Sequence, residues 1–174
     1  EDTIVNNESI EMMRMLASAF RSYQAVEVDL YPPNQRPLID RITDAIYEPI
    51  NNGVYRVGFA GSQAAYDEAV EELFTALDEL EALLENQRYL AGESLTLADL
   101  RLFPTLVRFD EVYHTHFKCN RRRLVDYPNL WDYTRELYQL PGVATTVDMA
   151  QIKEHYYTTH DQLNPRRIIP DGPD

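Results

Sequence analysis

Cysteine occurs once in the 174 residues, at Cys119. An internal disulfide is therefore excluded, and the chain suits a reducing compartment, so a cytoplasmic location is expected. Lysine is nearly as scarce. Lys118 and Lys153 stand against fourteen arginines and 29 acidic residues, for a formal net charge of −13. Such a surface repels phosphate backbones and argues against a nucleic-acid partner. No apolar run approaches the roughly 18 residues that a membrane-spanning helix requires, so no membrane partner is expected. Glu1 opens the sequence with no basic-then-apolar stretch behind it; we expect no secretory leader and read the chain as cut from something longer. Segments of period-two polarity are absent as well, as are internal repeats and low-complexity tracts, which leaves helices to form the core.

Helical patterning fills that role. Residues 8–21 place Ile10, Met13, Leu16, Ala17 and Phe20 on one face, and Pro37 opens a second helix that carries Leu38, Ile42, Ala45 and Ile46. That helix is expected to fray at Pro49 and to stop at Gly53. The clearest helix spans about 62–84, with Tyr66, Ala69, Val70, Leu73, Phe74, Leu77, Leu80 and Leu84 as its apolar stripe. Thr96 and Asp99 have the spacing of a capping box, flanked by Leu95 and Leu100 as a hydrophobic staple. The helix they start should run through Leu102, Leu106, Phe109 and Tyr113, kinked at Pro104. Pro128 opens another, closed by Pro141-Gly142, and a last helix covers about 147–158. The proline-rich tail from Asn164 is expected to be irregular. The fold class is all-α, a bundle of six or seven helices joined by short turns.

Several residues invite a chemical reading. Gly53 and Gly58 bracket Tyr55 in a stretch read as a loop, from which a tyrosine hydroxyl can reach a ligand; a packing tyrosine after a helix cap is the plainer alternative. Cys119 reads as a small buried hydrophobe, although Lys118 and the Arg121-Arg122-Arg123 run could activate a thiol. That basic run reads as a set of local ion-pair partners. His114 and His116 are badly phased on a helix, as are His155 and His160, so no metal site is expected. Tyr156 and Tyr157 lie about 100° apart on a helix, and spacing does not choose which faces a pocket.

Tyr89-Leu90-Ala91-Gly92 with Leu95-Thr96-Leu97-Ala98-Asp99, then Tyr127-Pro128-Asn129-Leu130 and Pro141-Gly142-Val143, resembles the helical C-terminal domain of glutathione transferases. Within that family the sequence is similar to the xi class, the glutathionyl-hydroquinone reductases. The pointers are residues 52–60, Arg108-Phe109-Asp110-Glu111-Val112-Tyr113, His116-Phe117-Lys118-Cys119-Asn120, His155-Tyr156-Tyr157, and the tail Asn164 to Pro170. The resemblance implies a glutathione-transferase C-terminal-like helical bundle at 37–160. Residues 1–22 would be the remnant of a thioredoxin-like domain, 23–36 a linker and 161–174 a tail.

It further implies glutathione, or a related γ-glutamyl thiol, as cofactor, no metal, a quinol-type substrate, and a homodimer. Tyr55 and Tyr156 would be the catalytic residues, donating hydrogen bonds to the quinol oxygens; the family pattern favours Tyr156 over Tyr157. Val5, Glu8 and Ser9 would contribute to cofactor binding. The family's nucleophilic cysteine, in a Cys-Pro-Trp motif, has no counterpart in this sequence, and Cys119 does not stand in for it. The chain alone is therefore expected to be inactive. An ordinary conjugating transferase and a non-catalytic helical interaction module are the alternatives.

Overall fold

A computed structural model describes residues 6–23 and 28–172, and Val5 lies outside them. The main elements are α1 (Ser9–Ser18), α2 (Arg36–Ile46), α3 (Gly53–Gly58), α4 (Gln63–Leu84), α5 (Leu97–Leu106), α6 (His114–His116), α7 (Pro128–Gln139) and α8 (Met149–Thr159). Among the described residues there is no strand beyond one isolated bridge, Tyr89 to Gly92, and no helix long and apolar enough to cross a membrane.

The long α4 organises the core because its apolar stripe keeps one face continuously buried, from Ala69 and Val70 through Leu73, Phe74 and Leu77 to Leu80. It packs on α3 and α7, while α2 lies against α5. Ser62 caps it, its hydroxyl accepting from the Ala65 N–H at 3.2 Å. The Arg121–Glu71 and Arg122–Asp78 ion pairs, at 2.8 and 3.2 Å, tie the basic run back to α4, and Arg123 pairs with Asp126 at 3.0 Å. All three are half-exposed, so each adds a fraction of a kcal/mol at most.

Asp99 is fully buried at the start of α5. Its carboxylate accepts from the Thr96 N–H (2.7 Å), the Thr96 hydroxyl (2.9 Å), the Leu90 N–H (2.8 Å) and the Tyr133 hydroxyl (2.8 Å). The capping box read from the sequence is thus also the junction between the 89–92 turn, α5 and α7. Gly92 is required in that turn by its φ of +114°.

Two expectations change at prolines. The second helix does not stop at Gly53. Pro49 has no N–H to donate, so the chain widens into a π-helical turn over Tyr47–Asn51, with the Asn52 N–H reaching Tyr47 O at 2.8 Å, and runs on into α3. The helix carrying Pro104 ends at Leu106 and re-forms as a second π-turn, Phe109–Tyr113, rather than running through with a kink. These wide turns re-aim the side chains that follow them.

The glycine-bracketed stretch is consequently a short helix, not a loop. Neither Gly53 nor Gly58 has positive φ. Gly58 is needed for space: a Cβ there would sit 2.4 Å from Phe117 Cγ and 2.8 Å from Phe117 Cβ. Phe117 is fully buried and has nowhere to retreat. We expect Gly58→Ala to destabilise the chain by about 1–3 kcal/mol in urea or thermal unfolding. A variant as stable as the parent would show that Phe117 can shift freely.

Candidate functional site

Three phenols meet where α3, the second π-turn and α8 converge. Tyr55 comes from the first turn of α3, Tyr113 ends the π-turn, and Tyr156 points inward from α8. The Tyr55 and Tyr156 hydroxyl oxygens are 2.6 Å apart, and those of Tyr113 and Tyr156 are 3.0 Å apart. The structure therefore brings together Tyr55 and Tyr156, separated by about a hundred residues in sequence, and adds Tyr113. The sequence reading counted Tyr113 only as part of an apolar stripe and of a family motif.

Phe117 is the aromatic hub beneath them. Its ring centroid lies 5.4 Å from Tyr113 in a stacked arrangement, 5.2 Å from Tyr55 and 5.9 Å from Tyr156. The ring contacts restrain all three phenols, so the hydroxyls are held by packing as well as by each other.

The direction of the hydrogen bonds follows from counting protons. Three hydroxyls share two bonds. Tyr113 is 3% exposed, and among the described residues its hydroxyl has Tyr156 as its partner, so it donates there rather than bury an unused proton. Tyr156 then donates to Tyr55. Tyr55, 36% exposed, keeps its O–H free for the cleft. Burial and the neighbouring phenols push Tyr113 far above the ordinary range, and burial pushes Tyr156 up to about 12. Tyr113 and Tyr156 stay protonated at neutral pH and serve as hydrogen-bond donors, not as bases.

The cleft they line has a volume of about 740 Å³ and is also bounded by Asn51, Pro104, Thr105, Arg108, Gln151 and His155. A second hollow of about 510 Å³, lined by residues such as Leu106, Trp131, Tyr138 and Met149, contains none of the three phenols. Tyr157 turns away from the cleft and donates to Glu111 O at 3.3 Å, which resolves the choice between the neighbouring tyrosines in geometric terms.

Glu8 and Ser9 sit at the start of α1, outside the cleft lining. Glu8 is the exposed N-cap residue, and Ser9 Oγ accepts from Arg101 at 2.9 Å. Cys119 is fully buried, with its sulfur 3.8 Å from Val54 O, and burial pushes its thiol well above the usual range. It is the small hydrophobe of the first reading, and Lys118 and the arginines do not activate it.

The histidines are arranged in a way that phasing within one helix does not disclose. His116 Nε2 lies 3.1 Å from His160 Nδ1, and the rings stack beside Phe117. No group of three or more metal-ligating side chains occurs among the described residues. Burial first, then His160 and Lys118, lower His116 to about 4, and burial lowers His160 as well. The unfolded chain takes up the His116 proton below about pH 6.5, whereas the folded chain resists it until about pH 4. Stability is thus complete above pH 6.5 and falls as the pH drops through that window. Between pH 7 and pH 5 the loss attributable to His116 should be about 1–2 kcal/mol, and His116→Gln should flatten the profile in urea titrations. An unchanged slope in that variant would show that His116 is not the titrating group.

Comparison with known proteins gives the family. Residues 63–136 match the family description Glutathione S-transferase, C-terminal domain. Over 171 residues the chain is 51% identical to glutathionyl-hydroquinone reductase YqjG of Escherichia coli, an alignment covering 98% of this chain and 52% of that protein. The glutathione-bound structure of YqjG superposes with a TM-score of 0.95, covering 98% of this chain and 56% of the other. A xi-class glutathione transferase from Natrialba magadii superposes with a TM-score of 0.97 at 58% identity, covering 99% and 53%. The chain spans about half the length of the curated relatives it matches. It belongs to the glutathione transferase family, in the xi class, and carries that family's helical C-terminal domain.

Proposed function

We propose that this chain is the substrate-binding helical part of a glutathione-dependent enzyme that reduces glutathionyl-hydroquinones to hydroquinones. The observation that supports this most is the chain of phenols, Tyr113 to Tyr156 to Tyr55, ending in a free O–H at a cleft large enough for an aromatic ring. A quinol oxygen placed against Tyr55 and Tyr156 receives a hydrogen bond from a polarised donor. Tyr113, donating from behind, strengthens it.

The reaction needs a thiolate, which Cys119 does not provide. The sulfur-bearing ring carbon takes up a proton as the quinol hydroxyl gives one up, which makes that carbon tetrahedral and the oxygen a carbonyl. The thiolate then attacks the sulfur, a sulfur–sulfur bond forms and the sulfur–carbon bond breaks. The bonding pair restores the aromatic ring and leaves the charge on the quinol oxygen, which is then protonated. A second glutathione then releases the enzyme by thiol–disulfide exchange. Stabilising the oxygen as charge develops is the work assigned to Tyr55 and Tyr156.

In this reading residues 1–22 belong to the end of a thioredoxin-like domain, 23–36 link it to the helical domain at 37–160, and 161–174 form a tail. Val5, Glu8 and Ser9 contribute to the γ-glutamyl end of glutathione, Glu8 pairing with its ammonium and Ser9 with its carboxylate. The enzyme works in the cytoplasm as a homodimer. Assaying the intact protein on a glutathionylated hydroquinone and on a halogenated aromatic tests the proposal. Release of free hydroquinone is expected. Conjugation of the halogenated compound without that release would make it an ordinary transferase instead.

A further inference from the structure

Among the described residues, no Asp or Glu lines the cleft, although the chain has 29 of them. The one permanent cation among the described lining residues is Arg108, which lies in the break between α5 and the π-turn that follows. One arm of the guanidinium is anchored: Nη1 donates to Pro104 O at 2.6 Å. The remaining N–H groups are not used by any side chain or carbonyl among the described residues.

Several arginines elsewhere pair with carboxylates, while others, such as Arg101 on Ser9 and Tyr47, do not. Arg56 pairs with Glu72, Arg121 with Glu71, Arg122 with Asp78 and Arg167 with Asp161. Arg108 pairs with none among the described residues. Its charge reaches the phenols nonetheless, opposing the rise that burial imposes on Tyr156. An anchored, partly buried guanidinium with spare donors, beside three phenols, is a receptor for a planar oxyanion.

We propose that Arg108 determines specificity by binding an acidic substituent on the substrate ring, so that the cleft prefers hydroquinones bearing a carboxylate. The inference rests on reading the cleft as the quinol site and names which quinols it favours. The phenols take the ring oxygens, and Arg108, which lines the same cleft, takes the ring carboxylate.

Calorimetric titration of the chain with hydroquinone and with its ring carboxylate, gentisate, tests this. Gentisate should bind about tenfold more tightly than hydroquinone. Arg108→Gln should remove that preference while leaving hydroquinone affinity within about twofold, and Arg108→Lys should retain part of it. Raising the salt concentration should erode the preference in the parent chain, because the interaction is charge on charge. Equal affinities in the parent, or a preference that survives Arg108→Gln or high salt, overturns the assignment while leaving the quinol reading intact. If Arg108→Gln fails to fold, the lysine variant and the salt series decide by the same criteria. Displacement of gentisate by glutathione alone would assign Arg108 to the tripeptide's carboxylate and overturn the proposal. Binding of neither ring compound would remove the quinol reading itself, and this inference with it.

Discussion

Tyr156→Phe should lower kcat/KM of the intact protein on a glutathionylated hydroquinone by about 100- to 1000-fold. Tyr156 is the middle member of the phenol chain, so losing its oxygen breaks both the 2.6 Å and the 3.0 Å contacts at once. Tyr113, 3% exposed, is left with a hydroxyl that has no acceptor, which costs about 1–3 kcal/mol. Tyr55→Phe removes only the terminal donor and should cost about 10- to 100-fold. Tyr113→Phe leaves the face presented to the substrate unchanged and should cost about tenfold or less. Steady-state kinetics on the three variants reads the order directly. Parent-like rates in both Tyr55→Phe and Tyr156→Phe would remove the phenols from the chemistry.

Asp99→Ala should be the most damaging single change to the fold. Four donors converge on that carboxylate in a place with no measurable exposure: two backbone N–H groups, the Thr96 hydroxyl and the Tyr133 hydroxyl. Water does not replace them without opening the interior. Stranding several buried donors together costs more than losing one cap, and we expect at least about 3 kcal/mol. For a domain of this length that lowers Tm by about 10 °C. Asp99→Asn keeps an acceptor but turns an amide N–H₂ towards donors, and should fall between the two. Thr96→Ala should cost about 1 kcal/mol. Differential scanning calorimetry separates these values. An Asp99→Ala variant melting within two or three degrees of the parent would mean that the junction tolerates solvent.

The parts of this molecule that were legible in the sequence are those set by local chemistry. Thr96 and Asp99 announce their helix because a side-chain oxygen must meet an N–H within a few residues, and the α4 stripe follows from the helical repeat alone. What was not legible depends on contacts made across the chain. The first π-turn could not be read because Pro49 forbids a hydrogen bond without saying how the chain will route around the loss, and the second lies beyond Pro104 with no proline of its own to mark it. Gly53 and Gly58 suggested a turn, and only the position of Phe117 shows that Gly58 is there to make room.

The site divides in the same way. Tyr55 stands out by its flanking glycines, but its pairing with Tyr156 follows from resemblance and not from periodicity. Tyr113 was hidden because a tyrosine at a core position looks like any other buried ring, and its role depends on where α8 lies. His116 and His160 were judged within their own helices, yet their pairing is tertiary.

α8 gives the interior only two buried side chains, Tyr156 and Tyr157, while the core among the described residues is otherwise drawn from earlier in the chain, Ile39 to Leu137. Architecture and competence are therefore separable here. Removing α8 would take Tyr156 out of the cleft while leaving most of the buried core residues in the chain.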